Sequence, residues 1–174
     1  MTIQITEEMN QLAEFFIQKI VFQKRKEKDY KYDNYNVLKR FKTGILGEMA
    51  IFQMLGYKYS DVETDVGDSS AYQHADLQTI GFFQTGIKTF SAENQYPIIY
   101  KKNTENQIIC KVDESKIEIL GIATVDMLND ETNCSDDYIL DPNLRAKGYK
   151  TAFVNFSVLI PFTIDNLINL EGGL

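Results

Sequence analysis

Ala75-Asp76-Leu77-Gln78-Thr79-Ile80-Gly81-Phe82-Phe83-Gln84-Thr85-Gly86-Ile87-Lys88-Thr89-Phe90 reads as two strands folded about Gly81, with an acidic residue opening the first and a lysine closing the second. Successive strand residues point to opposite faces. Phe82, Gln84, Gly86, Lys88 and Phe90 therefore share one face of the second strand, and Phe83, Thr85, Ile87 and Thr89 the other. A lysine between aromatic residues on a strand face is an unusual place for a charge, so the stretch proposes a site.

Upstream, Thr6 followed by Glu7 and Glu8 has the chemistry of a helix start: a hydroxyl cap with negative charge in the first turn. Met9, Leu12, Phe16 and Ile20 recur at helical spacing, so a first helix is expected from about residue 6 into the early twenties. Residues 24–36 lose the apolar stripe and read as a solvated helix extension or a mobile basic arm. Lys24, Arg25, Lys26, Lys28 and Lys31 there, with Lys39, Arg40 and Lys42 beyond it, are candidate phosphate contacts, and the interleaved Tyr30, Tyr32 and Tyr35 could stack on bases.

The spacing predicts a second helix from about Tyr35 to Leu55. Leu38, Phe41, Ile45 and Phe52 mark one face, and the missing member of that series is Glu48. A carboxylate in an apolar stripe needs a cation, a metal or a firm hydrogen bond, because burying it unpaired costs several kcal/mol. Gly44 and Gly47 each lower helix propensity by about 1 kcal/mol relative to alanine, which suggests a close approach by other backbone. Gly56 is placed to end the helix.

Downstream of the hairpin, Ile108–Val112 and Ile117–Val125 read as a strand pair around the turn Asp113-Glu114-Ser115-Lys116. Glu114-Ser115-Lys116 is a literal Glu-x-Lys, but it falls in a polar turn. Residues 126–148 read as an acidic, irregular connection, 153–160 as one or two further strands, and Ile164–Leu170 as a short C-terminal helix.

The whole chain, 174 residues with 44% hydrophobic and 25% charged residues, is expected to be one α/β domain with a mixed central sheet flanked by helices. It carries no apolar run long enough to span a bilayer and no signal-peptide pattern, so a cytoplasmic protein without membrane association is expected. His74 is the only histidine, which excludes histidine-rich zinc sites and leaves hard cations held by oxygen. The net charge of −7 argues against indiscriminate coating of nucleic acid. Its distribution is uneven: nine basic residues against three acidic from 19 to 42, and nine acidic against one basic from 113 to 141.

A helix with an embedded glutamate, a hairpin opened by an aspartate and a strand carrying a lysine follow one another in the order Glu48, Asp76, Gly86-Ile87-Lys88. In this order the chain resembles the PD-(D/E)xK, or restriction-endonuclease-like, nuclease superfamily over about residues 38–125. The resemblance implies a restriction-endonuclease-like fold and hydrolysis of phosphodiesters. By it, Asp76 and Glu48 would hold Mg²⁺ or Mn²⁺, and Asp76, Lys88 and Glu48 would form the catalytic set. It implies DNA as partner and admits a homodimer. The chemistry asks for these types: carboxylates hold a hard cation that activates water and neutralises charge, and a lysine stabilises the charge that develops on phosphorus oxygens.

Gly86 departs from the motif where a second carboxylate is expected. Three accounts stay open. Glu48, Glu93 or an acid from 61–68 fills the role in an active enzyme; the fold survives as a non-catalytic protein; or Gly86 is itself an inactivating change. The non-catalytic account is a phage-type inhibitor of a nucleic-acid-binding or defence system, presenting the acidic 113–141 region to a basic partner. Plain DNA binding through 19–42 is the third function.

Overall fold

The computed structural model describes residues 1–24, 34–58, 77, 80–82 and 84–172. Two long helices come first after a short strand: β1 (Thr2–Gln4), α1 (Glu7–Lys24) and α2 (Asn34–Met54). The Thr6 hydroxyl accepts the Met9 amide at 3.1 Å, as a helix cap should. At the other end of α2, Gly56 adopts a φ of 82°, its amide donates to Gln53 and the Tyr57 amide donates to Phe52. That pair of bonds satisfies the last carbonyls of the helix and reverses the chain.

The main sheet has the order β1-β5-β4-β2, with β2 at Thr85–Ser91, β4 at Asn106–Val112 and β5 at Lys116–Ala123. It is mixed: β2 runs parallel to β4, while β4–β5 and β5–β1 are antiparallel. The β4–β5 hairpin turns at 113–116, so Glu114-Ser115-Lys116 lies in a turn with Lys116 opening β5. Between β2 and β4 the chain leaves for a second, antiparallel sheet of order β3-β7-β6, made of β3 (Ile98–Tyr100), β6 (Cys134–Ser135) and β7 (Lys150–Phe153).

Two cores follow from the alternation of the strands. On one face of the main sheet, Met9, Phe16, Ile45, Met49, Phe52, Ile108, Cys110, Ile117, Ile119 and Ile122 pack together with Phe162 and Leu167 of the C-terminal segment. On the other face, Phe90, Ile109 and Ala123 meet Ile99, Leu128 and Phe153 of the small sheet and its neighbours. Helices therefore cover one face, and the other is covered chiefly by the second sheet.

The sequence expectations need three corrections. The described part of the hairpin's first arm is a turn, not a strand: the Leu77 carbonyl accepts both the Ile80 and Phe82 amides, and the buried Leu77 anchors it. The stretch 126–148 is ordered as short capped pieces: α3 (Val125–Asn129), single-turn helices at Glu131–Asn133 and Asp136–Tyr138, and α4 (Pro142–Lys147). Thr124, Asp130, Ser135 and Asp141 cap these pieces through their side chains, which is why an acidic, polar segment can hold shape. Residues 156–158 form a further helical turn, and Ile160 bridges back to Ile122 of β5. The C-terminal helix α5 (Ile164–Leu170) is as expected, capped by Thr163. Among the described residues no helix is long and apolar enough to cross a membrane.

Candidate functional site

The site is built on β2, an edge strand of the main sheet among the described residues. One face of β2 is set against α2. At Gly47 a Cβ would fall 1.9 Å from Thr89 Oγ1 and 2.8 Å from Thr89 Cβ, so glycine is what lets helix and strand touch. Gly44, by contrast, faces open space, and the expectation of close approach fails there. Thr85, Ile87 and Thr89 form this helix-side face, and Ile87 packs on the helical core.

Gly86, Lys88 and Phe90 alternate to the opposite face, where Phe90 joins the second core. In the parallel pairing Gly86 stands beside Gln107 and Lys88 beside Ile109. A Cβ placed on Gly86 would lie 2.8 Å from Glu105 Oε1 and 2.8 Å from Gln107 Nε2. The Gln107 amide donates to Glu105 Oε1 at 2.9 Å. The carboxylate of Glu105, immediately before β4, thus occupies the space that a side chain at position 86 would take, on the face of β2 that carries Lys88.

The start of β2 is held by a second carboxylate. Glu171, just past α5, accepts the Gln84 amide at 3.0 Å on each oxygen and the buried Thr85 hydroxyl at 2.7 Å. These bonds satisfy donors at the strand's open end and fix its direction into the site.

Of the residues singled out in sequence, Lys88 is half-buried on β2 and Glu48 half-buried on α2; each has a partner. Glu48 follows Gly47, so it stands level with Thr89, and α2 and Lys88 belong to opposite faces of an edge strand. Asp76 lies outside the described residues, as do Arg25, Lys26, Lys28, Lys31, the acids of 61–68 and His74; the side chain of Lys24 does too. Lys39 and Lys42 of α2 are ion-paired with Glu93 and Glu14, respectively, while Arg40 is exposed. Glu93 sits beyond the C-terminal end of β2, so it does not fill the role of a carboxylate at Gly86.

Compared with family models, curated proteins and solved structures, the chain matches none. The site rests on its own geometry. Glu105, Gln107 and Glu171 were missed in sequence because each reaches β2 from another element, and no local spacing signals that. Among the described residues no three His, Cys, Asp or Glu side chains cluster as a metal site. The oxygens at hand on the Gly86 face, one carboxylate and one amide oxygen, are of the kind a hard cation accepts once a further carboxylate joins them.

The acidic stretch is largely engaged within the molecule. Asp130 and Asp141 cap helices, Asp136 pairs with Lys101 at 2.7 Å, Asp137 with Arg145 at 2.7 Å, and Glu118 with Lys116 at 2.8 Å. Hydrogen bonds from Lys101 and Thr151 hold the Asp136 carboxyl below its ordinary value, those from Thr132 do the same for Asp130, and the Lys116 ammonium does so for Glu118.

Proposed function

We propose that the chain is a metal-dependent nuclease with a restriction-endonuclease-like fold, in which Glu105 takes the part of the carboxylate absent at Gly86. The observation that carries this reading is the position of Glu105 Oε1, 2.8 Å from where a Cβ of residue 86 would be. Alternation gives residue 86 the same face of β2 as Lys88, so in this reading Glu105, from just before β4, would stand in for the acid of the motif on the lysine's side.

In this reading Asp76 and Glu105 would hold Mg²⁺ or Mn²⁺, and Glu48, on the helix packed against the opposite face of β2, is left out of the cation site. The bound cation would supply an activated water near neutral pH and neutralise charge on the phosphate. The Lys88 ammonium stabilises the negative charge that builds on the phosphate oxygens. Gln107 orients Glu105 through its amide, and Glu171 keeps the start of β2 in register with β4. DNA is the proposed substrate.

The test is cleavage of supercoiled plasmid and of labelled oligonucleotides with Mg²⁺ or Mn²⁺. Wild-type protein should cut, and Lys88→Ala, Asp76→Ala and Glu105→Gln should each reduce the rate by at least a hundredfold, the order expected when a charge-stabilising group is lost. Undiminished cleavage in Glu105→Gln would remove the assignment of Glu105. Absence of cleavage by the wild type with either metal would leave the non-catalytic interaction protein as the reading.

A further inference from the structure

On the second sheet, away from β2 in the strand order, two exposed tyrosines lie side by side. Tyr100 ends β3 and is 56% exposed; Tyr149 precedes β7 and is 45% exposed. Their rings are 6.2 Å apart between centroids with planes 23° from parallel. The Lys150 ammonium lies 4.7 Å from the centroid of Tyr100 and 5.9 Å from that of Tyr149. Backbone pairing holds the arrangement: Tyr100 is in register with Lys150, and the Lys101 amide donates to the Tyr149 carbonyl at 3.0 Å.

Several basic side chains flank the two tyrosines in sequence, in a chain whose net charge is −7. Lys101 and Lys102 follow Tyr100, and Arg145 and Lys147 occupy the last turn of α4, immediately before Tyr149. Two of these are in ion pairs, Lys101 with Asp136 and Arg145 with Asp137. Lys102 and Lys147 are exposed, each two residues in sequence from one of the tyrosines.

We infer that this face binds single-stranded nucleic acid, with bases stacking on Tyr100 and Tyr149 and phosphates meeting Lys102, Lys147 and Lys150. Near-parallel exposed aromatic rings offer a stacking platform that any unpaired base can use, and flanking ammonium groups follow the backbone. A duplex keeps its bases stacked on one another and presents only their edges in the grooves, so it cannot use the rings. Lysine is depleted at protein–protein interfaces, whereas phosphate contacts draw on it; the charge therefore favours a nucleic acid over a protein partner. The proposal does not depend on hydrolysis at β2.

The experiment is fluorescence anisotropy of a labelled oligothymidylate titrated with the full chain in EDTA, so that no cleavage intervenes. Wild-type binding should weaken as salt rises. Tyr100→Ala/Tyr149→Ala should weaken binding by about tenfold or more with little change in salt slope, since stacking carries no counterion release. Lys102→Gln/Lys147→Gln should make the slope of log affinity against log salt shallower by about one to two. Both pairs are at the surface, and an unchanged melting temperature would establish that the variants are folded. The inference is overturned by absence of wild-type binding, by wild-type-like affinity in the folded tyrosine variant, or by equal or tighter binding of the matching duplex. Loss of cleavage in the β2 variants with oligothymidylate binding intact would separate the two sites.

Discussion

Gly47→Ala isolates the contact that joins α2 to β2. In an exposed helix interior this substitution stabilises by about 1 kcal/mol, because alanine loses less backbone entropy than glycine. Here the new methyl would meet Thr89 Oγ1 at 1.9 Å and Thr89 Cβ and Cγ2 at 2.8 Å. Rotating Thr89 does not relieve the contact, since its Cβ is itself too close. Reaching ordinary van der Waals separation requires the helix and strand to part by roughly 1 Å or more. Such overpacking costs about 1–3 kcal/mol and exceeds the propensity gain. The expected net result is a loss of up to about 2 kcal/mol, with a fall in Tm of about 2–4 °C per kcal/mol for a chain of this size.

Gly44→Ala is the internal control, three residues earlier on the same helix, with nothing within 4 Å of its Cβ. It should raise stability by up to about 1 kcal/mol. Urea unfolding of both variants, with unchanged slope, reads the difference in sign directly. Thr89→Ala removes the two outer atoms of the clash and a buried hydroxyl that has no hydrogen-bond partner. In the Gly47→Ala background it should restore part of the loss. If Gly47→Ala stabilised the protein as Gly44→Ala does, the packing of α2 on β2 described above would be wrong, and the level assigned to Glu48 with it.

Three other outcomes are expected. Gly86→Ala should leave Tm nearly unchanged, because its Cβ meets only the far ends of Glu105 and Gln107, yet it should reduce cleavage by displacing Glu105; equal activity would count against the site. Glu171→Ala should lower stability by about 1–3 kcal/mol by leaving the buried Thr85 hydroxyl unpaired, and hydrogen exchange at Gln84 and Thr85 should accelerate; unaltered exchange would refute its role as an anchor for β2. Asp136 has a carboxyl lowered from 3.8 when folded by hydrogen bonds from Lys101 and Thr151, so its contribution is present above the unfolded value and lost as pH falls through the folded one. Thermal melts should therefore show a smaller acid-induced drop in Asp136→Asn than in wild type, and parallel curves would contradict the pairing.

Local signals made the helices legible. Thr6, the stripe Met9–Phe16 and Gly56 encode caps and period within a few residues, and the β4–β5 turn is equally local. What could not be read depends on partners distant in sequence. β1 is three residues long, too short for any alternation to register, and is defined by its pairing with β5. The second sheet brings Ile98–Tyr100 to Lys150–Phe153, and nothing in either segment names the other. Short helices capped by Asp130 and Asp141 escaped because their polar composition imitates a loop. At the site, the Gly86 vacancy in the motif was visible, whereas its occupant was not: Glu105 comes from the approach to the parallel neighbour β4, whose register is set by the whole sheet. Gly44 and Gly47 looked alike in sequence and differ only in what lies opposite.

The pairing of Ile3 with Ile117 also bears on synthesis of the chain. As it leaves the ribosome, α1 and α2 emerge long before β4 and β5, the strands against which their apolar faces close. Until then Phe16, Ile45, Met49 and Phe52 have no sheet to cover them. The N-terminal half alone leaves these side chains uncovered, and fragments ending before β5 should be recovered as aggregates rather than as a smaller folded unit.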